Sequence, residues 1–285
     1  MASQLIRVKT AAGSLGLVDT GGPGLPLVMI HGSGSSYQVF YKQWAGPLAA
    51  GRRMIAIDLP GHGTSDDAAD PQRSYTVSGM TDAVDEAMGR IGVSRAAILG
   101  WSLGGHIAIE MLARGRRVAG AMICGAPPIS GGLVAALRGF QASFDMLLAS
   151  KETYSERDAE RFEALCFGDR SHPSFRRSIL RADGKARGIF VKSLTRGGHD
   201  QRRDVQQADV PVAFVNGGRD PFLRLGYFAG LHVPVPFDGG PQVIAEAGHA
   251  PFWTHPAEFN ALLSRFLMQV DAHEAATVGL IRAAS

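Results

Sequence analysis

The sequence predicts an α/β protein: a mostly parallel sheet flanked by helices, with a helical cap inserted late in the chain. Three observations predict it. Continuous apolar runs such as Leu27-Val-Met-Ile30 and Met54-Ile-Ala-Ile-Asp58 mark strands covered on both faces rather than on one. These runs alternate with segments of helical periodicity, the pattern of a parallel sheet with helices on either side. Residues 128–208 then carry amphipathic helical patterns and no strong β run. Two parts follow from composition: a core of residues 1–127 and 209–285, and a helical cap of residues 128–208.

Taken in order, short strands are expected at Leu5 to Val8 and Gly16 to Asp19, followed by the two buried runs already named. Helices are expected over Val77 to Ile91 and Leu103 to Ala113, with buried strands at Ala96 to Leu99 and Ala119 to Cys124. Beyond the cap, strand character returns at Pro211 to Val215 and at Gln242 to Ala245, and a closing helix runs from about Pro256 to Val270. The tail after Asp271 loses amphipathic order and is expected to fray.

Composition narrows the function. The 285 residues suit one large domain with an insertion, and 45% hydrophobic with 19% charged residues is ordinary for a packed globular chain. The net charge of +3 comes from scattered residues, and the longest basic cluster is a group such as Arg114, Arg116 and Arg117. No nucleic-acid partner is expected. Cys124 and Cys166 lie far apart in apolar surroundings and read as buried thiols, not as a metal pair or a disulfide framework. Met1 to Thr10 has no basic start followed by a long apolar run, and no stretch approaches the roughly 20 apolar residues of a membrane span. A soluble, cytoplasmic protein with no membrane partner is expected; the oligomeric state is not legible.

The strongest chemical signal is Gly100-Trp101-Ser102-Leu103-Gly104 between a strand and a helix. The pentapeptide alone also suits an ordinary glycine-rich turn; the flanking elements select the G-x-S-x-G reading, in which a strained turn presents the serine above the sheet. A serine hydroxyl is a poor nucleophile at neutral pH and needs a base. His249, in the loop after the last strand, lies on the edge where ligands meet open α/β sheets. Asp220, in the turn after the strand ending at Val215, supplies the carboxylate that fixes the base's tautomer. Asp58 and Asp66 are rivals, but Asp58 adjoins a Pro-Gly-His-Gly turn and suits a loop-stabilising role. Cys124 is followed by no carboxylate before Asp145. The backbone N–H groups of Ser33 and Leu103 are the expected oxyanion donors. His31 is given a structural role in its loop. No paired spacing suits a metal and no dinucleotide fingerprint occurs, so no cofactor is expected.

Those residues, with the His31-Gly32 loop and Asp58-Leu-Pro-Gly-His-Gly-Thr-Ser65, resemble the α/β-hydrolase family over nearly the whole chain. Several stretches are similar to the metal-independent N-acyl homoserine lactonases, which open the lactone ring of bacterial quorum-sensing signals. They are Gly100-Trp-Ser-Leu-Gly-Gly-His-Ile107 with Ile109-Glu-Met111, Gly125-Ala-Pro-Pro128, Ser155-Glu-Arg-Asp158, Arg181-Ala-Asp-Gly-Lys-Ala-Arg187 and Ala247 to Phe252. The resemblance implies the α/β-hydrolase fold and a small-molecule ester or lactone as substrate. It also implies quorum quenching by a Ser102, His249 and Asp220 triad. The lactonases have glutamate where Asp220 stands, asparagine where Ser33 stands and a cap tyrosine where Phe162 stands; the loss of that hydroxyl bears on acyl-chain or ring preference. Gly32, Trp101, Phe140, Phe144, Met146, Leu147, Phe162 and Phe222 are expected to border the substrate pocket. The rivals are a general carboxylesterase or C–C bond hydrolase with the same triad, and a non-catalytic receptor of the same fold. Haloalkane dehalogenases and cap-type epoxide hydrolases use a carboxylate nucleophile, and position 102 is serine.

Overall fold

A computed structural model describes residues 4–142, 144–196 and 200–284. Eight strands form one sheet in the order β1-β2-β4-β3-β5-β6-β7-β8. They are β1 (Gln4–Thr10), β2 (Gly13–Asp19), β3 (Leu27–Ile30), β4 (Met54–Ile57), β5 (Ala96–Trp101), β6 (Val118–Cys124), β7 (Val212–Gly217) and β8 (Gln242–Ile244). The pairs β1/β2 and β2/β4 are antiparallel, and every pairing from β4 through β8 is parallel. The continuous apolar runs have the expected cause: β3, β4, β5 and β6 are buried at every residue, because helices cover both faces.

The two faces form two cores. One gathers Val28, Ile30, Ile98 and Ile123 with the helices Val77–Arg90 and Leu103–Arg114. The other gathers Met29, Leu99, Met122 and Val215 against Phe259, Leu263 and Phe266 of the closing helix. Cys124 and Cys166 are both free and buried, and burial raises both thiol pKa values.

Between β6 and β7 come the helices Leu133–Gly139, Glu156–Phe167, Pro173–Arg181, Gly184–Thr195 and Gln201–Gln206, with the 3-10 helix Phe144–Ser150 between the first two. Their starts are encoded locally. Ser155 and Asp158 form a capping box, and Asp183 and Asp200 cap the helices that follow them.

The tail corrects the sequence expectation. The closing helix runs Pro256–Ala284 without a break at Asp271. Beyond its apolar face, ion pairs from Arg52 to Asp271 and from Arg95 to Glu274 tie it to the core, a tether that hydrophobic periodicity does not register.

Candidate active site

Ser33, Ser102, Asp220 and His249 stand on turns at the carboxyl ends of the parallel strands. β5 runs directly into the helix Leu103–Arg114, and Ser102 at the junction has φ 54° and ψ −116°. Among the described residues only Asp238 shares a positive φ outside glycine. Such a conformation costs about 1–3 kcal/mol and persists only where surrounding contacts hold it. Here the Ser102 N–H donates to the Cys124 carbonyl at 2.7 Å, and its carbonyl accepts from Gly105 at 2.8 Å and His106 at 3.2 Å. Close packing explains Gly104, where a Cβ would lie 2.1 Å from the Ile30 carbonyl oxygen.

His249 and Asp220 meet from separate loops. The His249 Nδ1 to Asp220 Oδ2 distance is 2.7 Å, and both side chains are nearly fully buried. The second Asp220 oxygen accepts from the Phe222 N–H at 2.8 Å, so the carboxylate is held at both ends. With Nδ1 committed to Asp220, Nε2 is the remaining ring nitrogen, and His249 lines the same cavity as Ser102. The imidazole packs edge-on against Phe222 with centroids 4.7 Å apart. On another side it meets Gly125 at φ +71°, where a Cβ would come within 2.7 Å of Cε1.

The two expected oxyanion donors also border this cavity. Ser33 and Leu103 both line it, and neither N–H has an acceptor among the described residues. The Ser33 hydroxyl is buried without a hydrogen-bond partner. His31 does hold its loop: Nε2 accepts from the Leu59 N–H at 3.0 Å, and Nδ1 meets the Gly32 carbonyl at 2.7 Å. Burial lowers its pKa to about 3. The rival carboxylates are employed elsewhere. Asp58 accepts from Tyr37 N–H, Thr64 N–H and the Thr64 hydroxyl, while burial pushes its pKa up to about 6. Asp66 accepts from Ser14 and pairs with Arg7.

The cavity has a volume of about 610 Å³, within the range of small-molecule sites, and its wall is mainly apolar. Of the expected pocket residues, Phe140, Phe162 and Phe222 line it. Two do not. The Trp101 indole is buried behind the wall against Phe167 and Phe252, and its N–H donates to the His249 carbonyl at 2.8 Å. Gly32 is wedged where a Cβ would sit 2.9 Å from Trp101 and 3.1 Å from the Ser102 Cβ. The side chains of Phe144, Met146 and Leu147 lie outside the described residues.

Sequence reasoning missed other parts of the wall. Phe190, Val191 and Leu194 come from the helix Gly184–Thr195, whose period gave no sign of which face turns inward. Arg187 of the same helix is buried. Its guanidinium lies 4.0 Å over the Tyr154 ring and donates to the carbonyls of Lys151 and Glu152, while Nη1 has no partner. Desolvation lowers its pKa. His106 also lines the cavity; its spacing of four from Ser102 on one helix was the available signal.

The sequence profile of the Alpha/beta hydrolase family matches residues 27–262, and the chain belongs to that family. It is an enzyme of the ester- and lactone-hydrolysing kind. Among solved structures it is similar to N-acyl homoserine lactonase AidH complexed with N-butanoyl homoserine. That match has 40% identity and a TM-score of 0.89, covering 94% of this chain and 97% of the other. A mutant of AidH complexed with N-hexanoyl homoserine matches at 41% identity and TM-score 0.90, over 93% and 96% of the two chains. The pimeloyl-[acyl-carrier protein] methyl ester esterase of Xanthomonas axonopodis pv. citri (strain 306) is 31% identical over 89% of this chain and 99% of its own length.

Proposed function

We propose that this chain opens the ring of N-acyl homoserine lactones by covalent serine catalysis. The observation that carries the reading is the buried Asp220–His249 pair, whose imidazole borders, with Ser102, one largely apolar cavity. The likeness to AidH over nearly the whole length supports the substrate class.

Ser102 Oγ attacks the lactone carbonyl while His249 Nε2 takes its proton, and Asp220 stabilises the imidazolium. The N–H groups of Ser33 and Leu103 hold the oxyanion. As the tetrahedral intermediate collapses, the ring C–O bond breaks and His249 returns the proton to the departing oxygen, which stays tethered to the acyl group. Water, deprotonated by His249, then releases the ring-opened N-acyl homoserine. Residues 128–208 act as a cap over the cavity, and Phe140, Phe162, Phe190 and Leu194 cover the acyl tail, each buried methylene contributing about 0.8 kcal/mol. In a bacterial setting the reaction would quench an acyl-lactone signal.

The test is product mass. Incubation with N-hexanoyl homoserine lactone should yield a product heavier by one water, at a rate that depends on enzyme. If ring opening stays at background while simple esters turn over, the lactone reading fails. Hydrolysis of open-chain esters, the second reading, is favoured by the methyl ester esterase relative and uses the same residues.

A further inference from the structure

His106 stands apart within the cavity wall. It is 3% exposed and sits between the rings of Phe140 and Phe190, whose centroids lie 6.0 Å and 6.2 Å from its own. It lies four residues beyond Ser102, about one helical turn and a rise of about 6 Å. The triad does not use it.

Its proton position follows from its neighbour. The Gln201 side-chain nitrogen donates to the His106 backbone carbonyl at 3.2 Å. A carbonyl can only accept, so the Gln201 amide must present its oxygen to His106 Nδ1, which it meets at 2.8 Å. An amide oxygen also only accepts, so Nδ1 carries the proton. Burial lowers the imidazole pKa to about 4, so the ring is neutral near pH 7. Nε2 therefore bears a bare lone pair. It has no partner among the described residues, and with Nδ1 held by Gln201 it is the ring nitrogen His106 has left to offer the cavity it lines.

We propose that His106 Nε2 is a specificity-determining acceptor that takes a hydrogen bond from a donor on the substrate close to the scissile carbonyl, and that this donor is a secondary amide N–H. The inference deepens the lactonase reading and rests on it for the substrate class. An acyl group joined through an amide beside the lactone carbonyl carries one such donor. An apolar ester of equal length carries none, and its binding would leave the buried nitrogen both dehydrated and unpaired, which is the penalty that separates the two substrates. A wall without an acceptor would not distinguish them.

The experiment compares kcat/KM for N-hexanoyl homoserine lactone with that for the analogue in which CH2 replaces the amide N–H. Wild-type enzyme should prefer the amide by about tenfold, the worth of one buried hydrogen bond. The ratio should collapse towards one in His106→Leu. Gln201→Met, which keeps the imidazole but frees its proton to move to Nε2, should also reduce it. Because the readout is a ratio, a loss of folded enzyme does not mimic the effect, and the wild-type ratio stands even where a variant fails to fold. A wild-type ratio near one, or an undiminished ratio in His106→Leu, overturns the proposal. A 3-hydroxyacyl lactone turned over better than the plain acyl lactone, with no preference for N–H over CH2, would assign the acceptor to a hydroxyl and overturn the amide assignment. If neither lactone opens, the lactonase reading has failed. The same ratio is then measured on the methyl ester of N-hexanoylglycine and its CH2 analogue, where the same outcomes decide.

Discussion

The floor and the roof of the cavity are built on different terms. On the floor, Ser102, Asp220 and His249 stand on turns that follow the parallel strands β5, β7 and β8, and both oxygens of the Asp220 carboxylate are held. The roof is made of separate helices between β6 and β7, and it presents mainly apolar side chains held by packing, with Arg187 as a polar exception; His106 rises beneath it on the helix that follows Ser102. The difference teaches that a rigid sheet edge can fix the reaction while the helices above it select the substrate.

Breaking the floor should have the largest effect. Ser102→Ala should lower kcat by roughly 10⁴ to 10⁶, as for other catalytic units of this type, with folding unchanged by circular dichroism. Asp220→Asn removes the acceptor that fixes the His249 tautomer and should lower kcat by about 10³ to 10⁴. Gly125→Ala tests the geometry alone. The new Cβ would sit within 2.7 Å of the imidazole, at a φ of +71°, and the displaced ring should cost about 10²-fold in kcat. Retained activity in that variant would show that the imidazole position is not tightly set.

Acid should act on the loops beside the floor, because His31 and His62 are buried there and His106 is buried in the cavity wall. His31, His62 and His106 have pKa values lowered to about 3, 4 and 4, largely by burial. Each is depressed in the folded state, so its stabilising effect is complete above the unfolded value near 6.5 and is lost as pH falls through the folded one. Asp58, raised to about 6, works in the opposite sense: its contribution is present below its unfolded value and lost as pH rises through 6. Three depressed bases outweigh one raised acid, so the urea midpoint should fall steeply from pH 6.5 to pH 4. A flat profile would mean that these rings are hydrated. The smallest effect concerns the closing helix: Glu274→Ala breaks its partly exposed pair with Arg95 and should cost only about 0.5 kcal/mol in urea unfolding, with no change in kcat/KM.

The same division governs what could be read from the sequence. The strands of the floor were legible because a strand buried on both faces needs an unbroken apolar run. Ser102 and Asp220 could be placed from the sequence because each stands on a glycine-containing turn after such a run, whereas His249 follows the short, half-exposed strand β8 and was placed by its loop ahead of the closing helix. Trp101 was misassigned to the pocket because its position beside Ser102 gives no indication that its indole turns back towards the His249 carbonyl. The inward faces of the roof were not legible: Phe190 and Leu194 differ in no sequence property from core residues, and only the packing of their helix selects them. His106 was visible as a helical neighbour of the nucleophile, but its partner Gln201 lies 95 residues away, and no local pattern connects the two.

The most direct measurement is the intact mass and peptide map of the enzyme after reaction with an alkyl fluorophosphonate, which is attacked only by an activated nucleophile. The account predicts a single adduct on the peptide carrying Ser102, absent in Ser102→Ala and formed far more slowly in His249→Ala. An adduct at another residue, or an equal rate of labelling without the imidazole, would contradict it.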